Sequence, residues 1–337
     1  MADLVPIVDL TSSGAPAQLD AACRSVGFMS VLGHGIARDV IDDMVAATDE
    51  FFALPLDEKL GYRSPRPEIN RGYAAKGTEG LTYSLGVDGR PPDLFEAFNI
   101  GPDEVPPGVP ADRPEFAPNL WPARPAGLRD ALVPYFTDVA ALARRITSVM
   151  ALALGLDATF FDDKTDHSTD TLRVNHYERG AGEPAPAPGQ QRMGAHTDYG
   201  IVTVLYADRV PGLEIVGPDG QWHGVLPPEG AFLVNLGDLL AEWTNDRWRS
   251  TLHRVVPPPT SSEGPSVRRS MAFFHDGNYD AVIECLPTCC SADNPPRYPR
   301  VTAGEHLMAK LLGPRTLTAS DAMSTMGARA DAVTGPA

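Results

Sequence analysis

The sequence predicts an α+β protein, with a helical N-terminal half packed on a C-terminal β-barrel or sandwich. Three observations carry this reading. Apolar residues recur at helical spacing across two long N-terminal segments. From Thr171 onward the chain breaks into eight short β-rich runs separated by turns. Most of those runs have no helix between them, as in antiparallel all-β architectures.

Taken in order, Leu4 to Leu10 reads as a short strand, and a helix pattern follows over Leu19 to Val26. Gly27 to Gly35 reads as a strand ending in a glycine turn. From Arg38 to Ala53, Val40, Ile41, Met44, Val45, Phe51 and Phe52 make one helical face, with Asp39 near its start. Residues 61 to 125 are rich in Pro and Gly and read as long loops with short strands, one of them Leu94 to Ile100. A second long helix carries a stripe from Leu128 to Leu154; Pro134 predicts a kink or late start and Gly155 a stop. The β-rich runs are 171–177, 200–206, 212–216, 221–225, 231–236, 251–256, 267–275 and 281–286, with Pro218-Asp219-Gly220 as a hairpin turn. The tail beyond Arg315 is rich in Ala, Ser, Thr and Gly and is expected to be poorly ordered.

Composition narrows the function. A chain of 337 residues with 43% hydrophobic and 21% charged residues can bury a large core without disulfide staples. The formal net charge of -16 argues against nucleic acid, whose affinity comes from Lys and Arg on phosphates, and against an anionic membrane surface. Cys23, Cys285, Cys289 and Cys290 are too few for a disulfide scaffold. The last three lack a second Cys/His pair at zinc spacing. Neither a signal-peptide pattern nor an apolar run near the ~20 residues of a membrane span is visible, so a cytoplasmic protein is expected.

The chemistry concentrates in Gly194-Ala-His-Thr-Asp-Tyr-Gly200. Residues two apart in an extended chain share a face, so His196 and Asp198 can hold one metal. The best third ligand is His253, in the strand-like Ser250 to Val256. Two His and one carboxylate cover one face of an octahedral ion and leave three positions open, the arrangement of non-haem Fe(II) oxygenases. His34, His167, His176, His223, His275 and His306 read as core or surface residues. A bare H-x-D is weak, and gains meaning only with a distal His and a cosubstrate anchor.

That anchor is Arg268 with Ser270, on one face of the strand-like run to Phe274. A guanidinium fork and a hydroxyl suit a carboxylate. Arg269 points the other way and reads as structural. Asn175 and Tyr177 share a face upstream and can orient an oxo acid; Arg173, of the same parity, reads equally as a contact for an acidic substrate or as a structural salt bridge. The loop Glu178 to Met193 is a candidate entrance, or simply a connection.

Together, Asn175-His-Tyr177, Ala195-His-Thr-Asp198, Asn235-Leu-Gly-Asp238, Trp243-Thr-Asn-Asp246, Ser250-Thr-Leu-His-Arg254 and Arg268-Arg-Ser270 resemble the isopenicillin N synthase-like family of Fe(II)/2-oxoglutarate oxygenases. Pro6 to Leu10, Gly27 to Ile36 and Phe51 to Pro55 resemble its N-terminal region, and the likeness spans roughly residues 4 to 312. The resemblance implies a double-stranded β-helix, or jelly roll, with a helical N-terminal region packed on it. It divides the chain into an N-terminal dioxygenase region at 1–125, a jelly-roll domain with its preceding long helix at 126–315, and a tail at 316–337.

The resemblance also implies Fe(II) at His196, Asp198 and His253, and 2-oxoglutarate with its distal carboxylate on Arg268 and Ser270 and its other end near Asn175 and Tyr177. O2 would be the second cosubstrate. The expected reaction is oxidation, most often hydroxylation, of a small molecule with release of succinate and CO2, in the tailoring of a secondary metabolite. Halogenation is disfavoured, because halogenating relatives have an open position where Asp198 stands. Other readings are an isopenicillin N synthase-type oxidase that does not consume 2-oxoglutarate, fragmentation of 2-oxoglutarate to ethylene, and a jelly-roll ligand-binding module without catalysis. A zinc hydrolase lacks a general-base glutamate beside the metal motif.

Overall fold

A computed structural model of the chain describes residues 4–110, 112–180, 183–258 and 267–319. Seven helices are present among them: α1 (Ala15–Ser25), α2 (Arg38–Phe52), α3 (Leu56–Leu60), α4 (Leu128–Ala153), α5 (Asp162–Thr165), α6 (Asp238–Trp243) and α7 (Ala303–Thr316). Twelve strands build two sheets: β1 (Ile7–Asp9), β2 (Phe28–Leu32), β3 (Gly72–Ala74), β4 (Glu96–Ile100), β5 (Thr171–Glu178), β6 (Met193–His196), β7 (Val202–Ala207), β8 (Leu213–Val216), β9 (Trp222–Gly224), β10 (Phe232–Leu236), β11 (His253–Val255) and β12 (Val267–His275). The larger sheet runs β1-β2-β10-β7-β12-β5-β4-β3, and the smaller one β6-β11-β8-β9. All pairings are antiparallel except β1 with β2. This is the jelly-roll core with helices packed against it.

Strand alternation sorts the large sheet into two faces. Leu172, Val174, Val204, Val234, Met271 and Phe273 join the apolar cluster that α1, α2 and α4 cover. Residues of opposite parity face the smaller sheet, where Phe28, Tyr177 and Leu233 pack with Met193, Leu213, Ile215 and Val255. The site lies in this inter-sheet space. Strands β1 to β4, from the segment before residue 125, add to both edges of the sheet built by the later strands.

Several elements differ from expectation. The first helix begins at Ala15 rather than Leu19, with a proline in its first turn, where a missing N–H costs nothing. The strand expected at Leu4 to Leu10 is confined to Ile7–Asp9, because only there does β2 run alongside. The long helix neither starts late nor stops at Pro134, which lies inside α4. The strand expected over 281–286 shrinks to Val282–Ile283, paired with Val301–Thr302. The tail expected to be loose from 316 has Thr316 closing α7, while residues 320–337 lie outside the described part. The β6 strand and helices α6 and α7 were not anticipated.

A buried polar cluster ties the helices to the sheet. Lys59 Nζ donates to Glu96 Oε2 at 2.7 Å, the Tyr73 hydroxyl donates to the same oxygen at 2.6 Å, and His176 Nδ1 lies 3.3 Å from Oε1. Burial alone pushes Glu96 up, but contacts from His176, Lys59 and Tyr73 outweigh it and hold the carboxyl down to about 2. The resulting stability is fully present above the ordinary value of 4.5 and drains as pH falls toward 2. Lys59→Ala leaves a buried carboxylate without its cation. We expect a loss of about 3–5 kcal/mol in urea unfolding at neutral pH, together with an acid limb that begins at higher pH.

Candidate active site

The geometry starts from register. Strand β11 pairs with β6 so that His253 stands directly opposite His196. Their rings lie 4.2 Å apart between centroids. Asp198 follows two residues after His196, and its Oδ1 is 3.8 Å from His196 Nε2 and 3.7 Å from His253 Nε2. One ligand atom from each of the three lies within 4.8 Å of the others, and all three residues are buried. This is the one such group among the described residues; the other six histidines lie outside it.

The donor set is arranged for a divalent cation. His196 Nδ1 is turned to the Gly194 carbonyl at 2.8 Å and His253 Nδ1 to the Thr251 carbonyl at 3.1 Å. Nδ1 therefore carries the proton in each ring, and both Nε2 lone pairs face the Asp198 carboxylate. Burial, with His253 beside it, pushes the His196 imidazole down to about 3, so it is a neutral ligand at physiological pH. Two imidazole Nε2 atoms and one carboxylate, open on the cavity side, fit a ferrous ion that must also take a cosubstrate.

Asn235 and Asp238, quoted from sequence only within a motif and given no role there, hold Asp198 in place together with Thr203. Asn235 Nδ2 and Thr203 Oγ1 both donate to its Oδ2, at 2.6 and 2.5 Å, leaving Oδ1 toward the histidines. The start of α6 clamps the motif from behind: the Asp238 N–H donates to the Asp198 carbonyl at 2.8 Å, and Leu239 N–H to the Tyr199 carbonyl at 3.1 Å. The Asp238 carboxylate accepts from Thr197 Oγ1 at 2.8 Å and from the buried Lys310 of α7 at 2.6 Å. A Cβ at Gly237 would stand 2.1 Å from the Gly200 carbonyl oxygen, so glycine permits this close approach. For Asn235→Ala we expect iron affinity to fall about 10–100-fold, measured by competition with a chelator, with the fold retained.

Farther along the same sheet face, β12 pairs with β5 so that Arg268 is opposite Tyr177 and Ser270 opposite Asn175. The Ser270 hydroxyl is 3.4 Å from the Tyr177 hydroxyl and 3.5 Å from Asn175 Nδ2. Arg268 is buried with its guanidinium carbon 5.1 Å from the Tyr177 ring centroid. Its Nε and Nη1 have no hydrogen-bond partner among the described residues. Asn175, Tyr177 and Ser270 line the same cavity as the His/Asp cluster, an empty space of about 970 Å³ including its mouth, and Arg268 sits behind that lining. Arg269, on the opposite face, pairs with Asp49 and lies 3.7 Å from Asp208. His176 stacks on Phe52 outside the cavity.

The expected entrance loop contributes Met193 to the lining; Lys76 ties its start to the Glu178 carbonyl, and Gln190 binds the Pro92 carbonyl. Positions 181 and 182 lie outside the described residues. No helix among the described residues is long and apolar enough to cross a membrane.

This fold and this site define a non-haem iron, 2-oxoglutarate-dependent oxygenase. Residues 5–124 match the family model for the non-haem dioxygenase in morphine synthesis N-terminal region, and residues 168–277 match that of the 2OG-Fe(II) oxygenase superfamily. The chain is 35% identical over 300 residues to the 2-oxoglutarate-Fe(II) type oxidoreductase hxnY of Emericella nidulans, covering 85% of this chain and 80% of that protein. It is 33% identical over 322 residues to validamycin A dioxygenase of Streptomyces hygroscopicus subsp. limoneus, covering 92% and 86%. Among solved structures, a full-length Neurospora crassa protein in complex with alpha-KG superposes with a TM-score of 0.79 at 30% identity, covering 92% of this chain and 97% of that one. The chain belongs to the Fe(II)/2-oxoglutarate oxygenase family. It is a dioxygenase that acts on a small molecule, with Fe(II), 2-oxoglutarate and O2 as its cofactor and cosubstrates.

Proposed function

We propose that His196, Asp198 and His253 hold the ferrous ion, that Arg268 and Ser270 grip the distal carboxylate of 2-oxoglutarate, and that Asn175 and Tyr177 orient its other end. The observation that carries this reading is a buried guanidinium with two unpartnered N–H-bearing nitrogens, beside a cavity that also holds the three-donor cluster. A buried cation without an anion is costly, so an anionic partner belongs there. A dicarboxylate reaching from the His/Asp cluster past Asn175, Tyr177 and Ser270 would bring its distal carboxylate toward Arg268, behind that lining. Bound iron supplies the redox chemistry by which O2 oxidises 2-oxoglutarate and substrate together.

The protein's own groups do the positioning. Asn235 and Thr203 keep Asp198 from turning its second oxygen toward the metal side. The Gly194 and Thr251 carbonyls fix both imidazole tautomers. The apolar inter-sheet lining excludes bulk water, which strengthens the Arg268 contact. We assign hydroxylation as the outcome, in tailoring of a small secondary metabolite in the cytoplasm. The test is O2 uptake with succinate as product. Uptake that depends on 2-oxoglutarate and yields equal succinate supports the reading. Uptake without 2-oxoglutarate supports the isopenicillin N synthase-type alternative, and ethylene in the head space supports fragmentation.

A further inference from the structure

Beyond Asn175, β5 continues to Arg173, of the same parity and roughly 13 Å along the strand from Tyr177 at about 3.3 Å per residue. There the cavity ends in three charged side chains. Arg173 pairs with Glu79 through Nη2, and Arg315 of α7 lies 3.9 Å from the other oxygen of the same carboxylate. Side-chain exposures are 9%, 11% and 9%, so all three charges are largely out of water. Their remaining contacts are neutral. Arg173 Nε donates to Asn175 Oδ1 at 3.0 Å, and Nη1 to Asn99 Oδ1 at 3.4 Å. Arg315 donates to the carbonyls of Pro67 and Ile69 and to the Asn70 side chain. Two cations and one anion leave one positive charge unbalanced.

Burial raises the nearby Asp93 to about 7, an effect that the pull of Arg173 does not offset, and its carboxyl accepts from the Leu81 N–H. Asp276 stands at the metal end against Gly200 and is pushed well above the usual range by burial and by Asp170 and Asp198. The same cavity has an apolar part to its lining that includes Leu81, Leu307 and Leu311, the last two on α7 with Arg315. Glu79 and Arg315 also border a second cavity, whose walls include Arg63, Arg66 and Arg71. A basic approach of this kind, on a chain of net charge -16, would draw anions inward.

We infer that the substrate is a small carboxylic acid whose carboxylate sits against Arg173 and Arg315 and whose apolar body lies along Leu81, Leu307 and Leu311. A cationic substrate would need Glu79, both of whose oxygens already face guanidinium groups. The inference rests on the metal and cosubstrate assignment above, and the experiment separates the two. Protein loaded anaerobically with Fe(II) and 2-oxoglutarate is titrated with matched sets: phenylacetate, phenylacetamide and phenethylamine, then octanoate, octanamide and octylamine. The readout is the shift of the visible charge-transfer band.

The acids are expected to shift the band with at least about ten-fold tighter binding than the amides, the value of one charge-assisted hydrogen bond, and the amines not at all. Equal or tighter binding of an amide or amine, or no shift with any acid, overturns the inference. Failure of the band to form before any probe is added would instead count against the metal and cosubstrate assignment. Arg315→Gln is expected to lose the acid preference and Arg315→Lys to keep most of it; an undiminished preference in Arg315→Gln also overturns the inference.

Discussion

Asp198→Ala will bring succinate formation from 2-oxoglutarate down to the background of metal-free protein, and His196→Ala will do the same. Asp198 Oδ1 is the single carboxylate oxygen facing both imidazole Nε2 atoms. Its removal leaves two imidazoles and takes away the one carboxylate of the buried three-donor set. Losing merely a hydrogen-bonding partner of a metal ligand costs about 10–100-fold, so loss of the ligand itself should exceed a hundred-fold. The assay is run without substrate, so that a substrate-binding defect cannot mimic the result. Asp198→Glu should not rescue, because Asn235 and Thr203 are placed to hold the shorter side chain. Turnover like wild type in either alanine variant would refute the metal assignment.

Arg268→Met should separate cosubstrate binding from folding, because its two expected effects have opposite signs. A charge-assisted hydrogen bond is worth about 1.5–3 kcal/mol, which corresponds to roughly a ten- to hundred-fold rise in the KM for 2-oxoglutarate. Without cosubstrate, however, the guanidinium is a buried cation with Nε and Nη1 unpartnered among the described residues. Replacing a buried charge with an apolar side chain of similar volume is often neutral or stabilising. The variant should therefore melt no earlier than the cosubstrate-free wild type, while losing most of the thermal shift that 2-oxoglutarate confers. A variant that melts much earlier with unchanged KM would mean that Arg268 is structural.

Much of the site was legible because strand geometry is rigid. Parity alone places Arg268 with Ser270 and Asn175 with Tyr177, and the register of β12 on β5 sets these pairs directly opposite one another. Parity also turns Arg269 away, toward Asp49 and Asp208. What escaped was whatever depends on distant segments meeting. Asn235 and Thr203 converge on Asp198 only because β10 pairs with β7, and nothing local in either strand marks that role. Helix α6 has six residues, too few for a period to show.

Helix α7 was missed for another reason. Its buried positions include His306 and Lys310, so an apolar stripe is absent. A local signal was nonetheless present in Thr302-Ala-Gly-Glu305, whose side chains form a capping box at the helix start. Arg173 shows a limit of a different kind. Salt bridge and substrate contact were weighed as alternatives, whereas the side chain makes the bridge and lines the cavity at once.

The most direct test of the account is anaerobic titration of 2-oxoglutarate into Fe(II)-loaded protein, followed by visible absorption. Three convergent ligands beside a buried guanidinium with two unpartnered nitrogens among the described residues predict a charge-transfer band that saturates at one 2-oxoglutarate per chain, vanishes with a chelator and is absent in Asp198→Ala. A protein that binds ferrous ion yet shows no band at saturating 2-oxoglutarate, or shows the same band without Asp198, would contradict it.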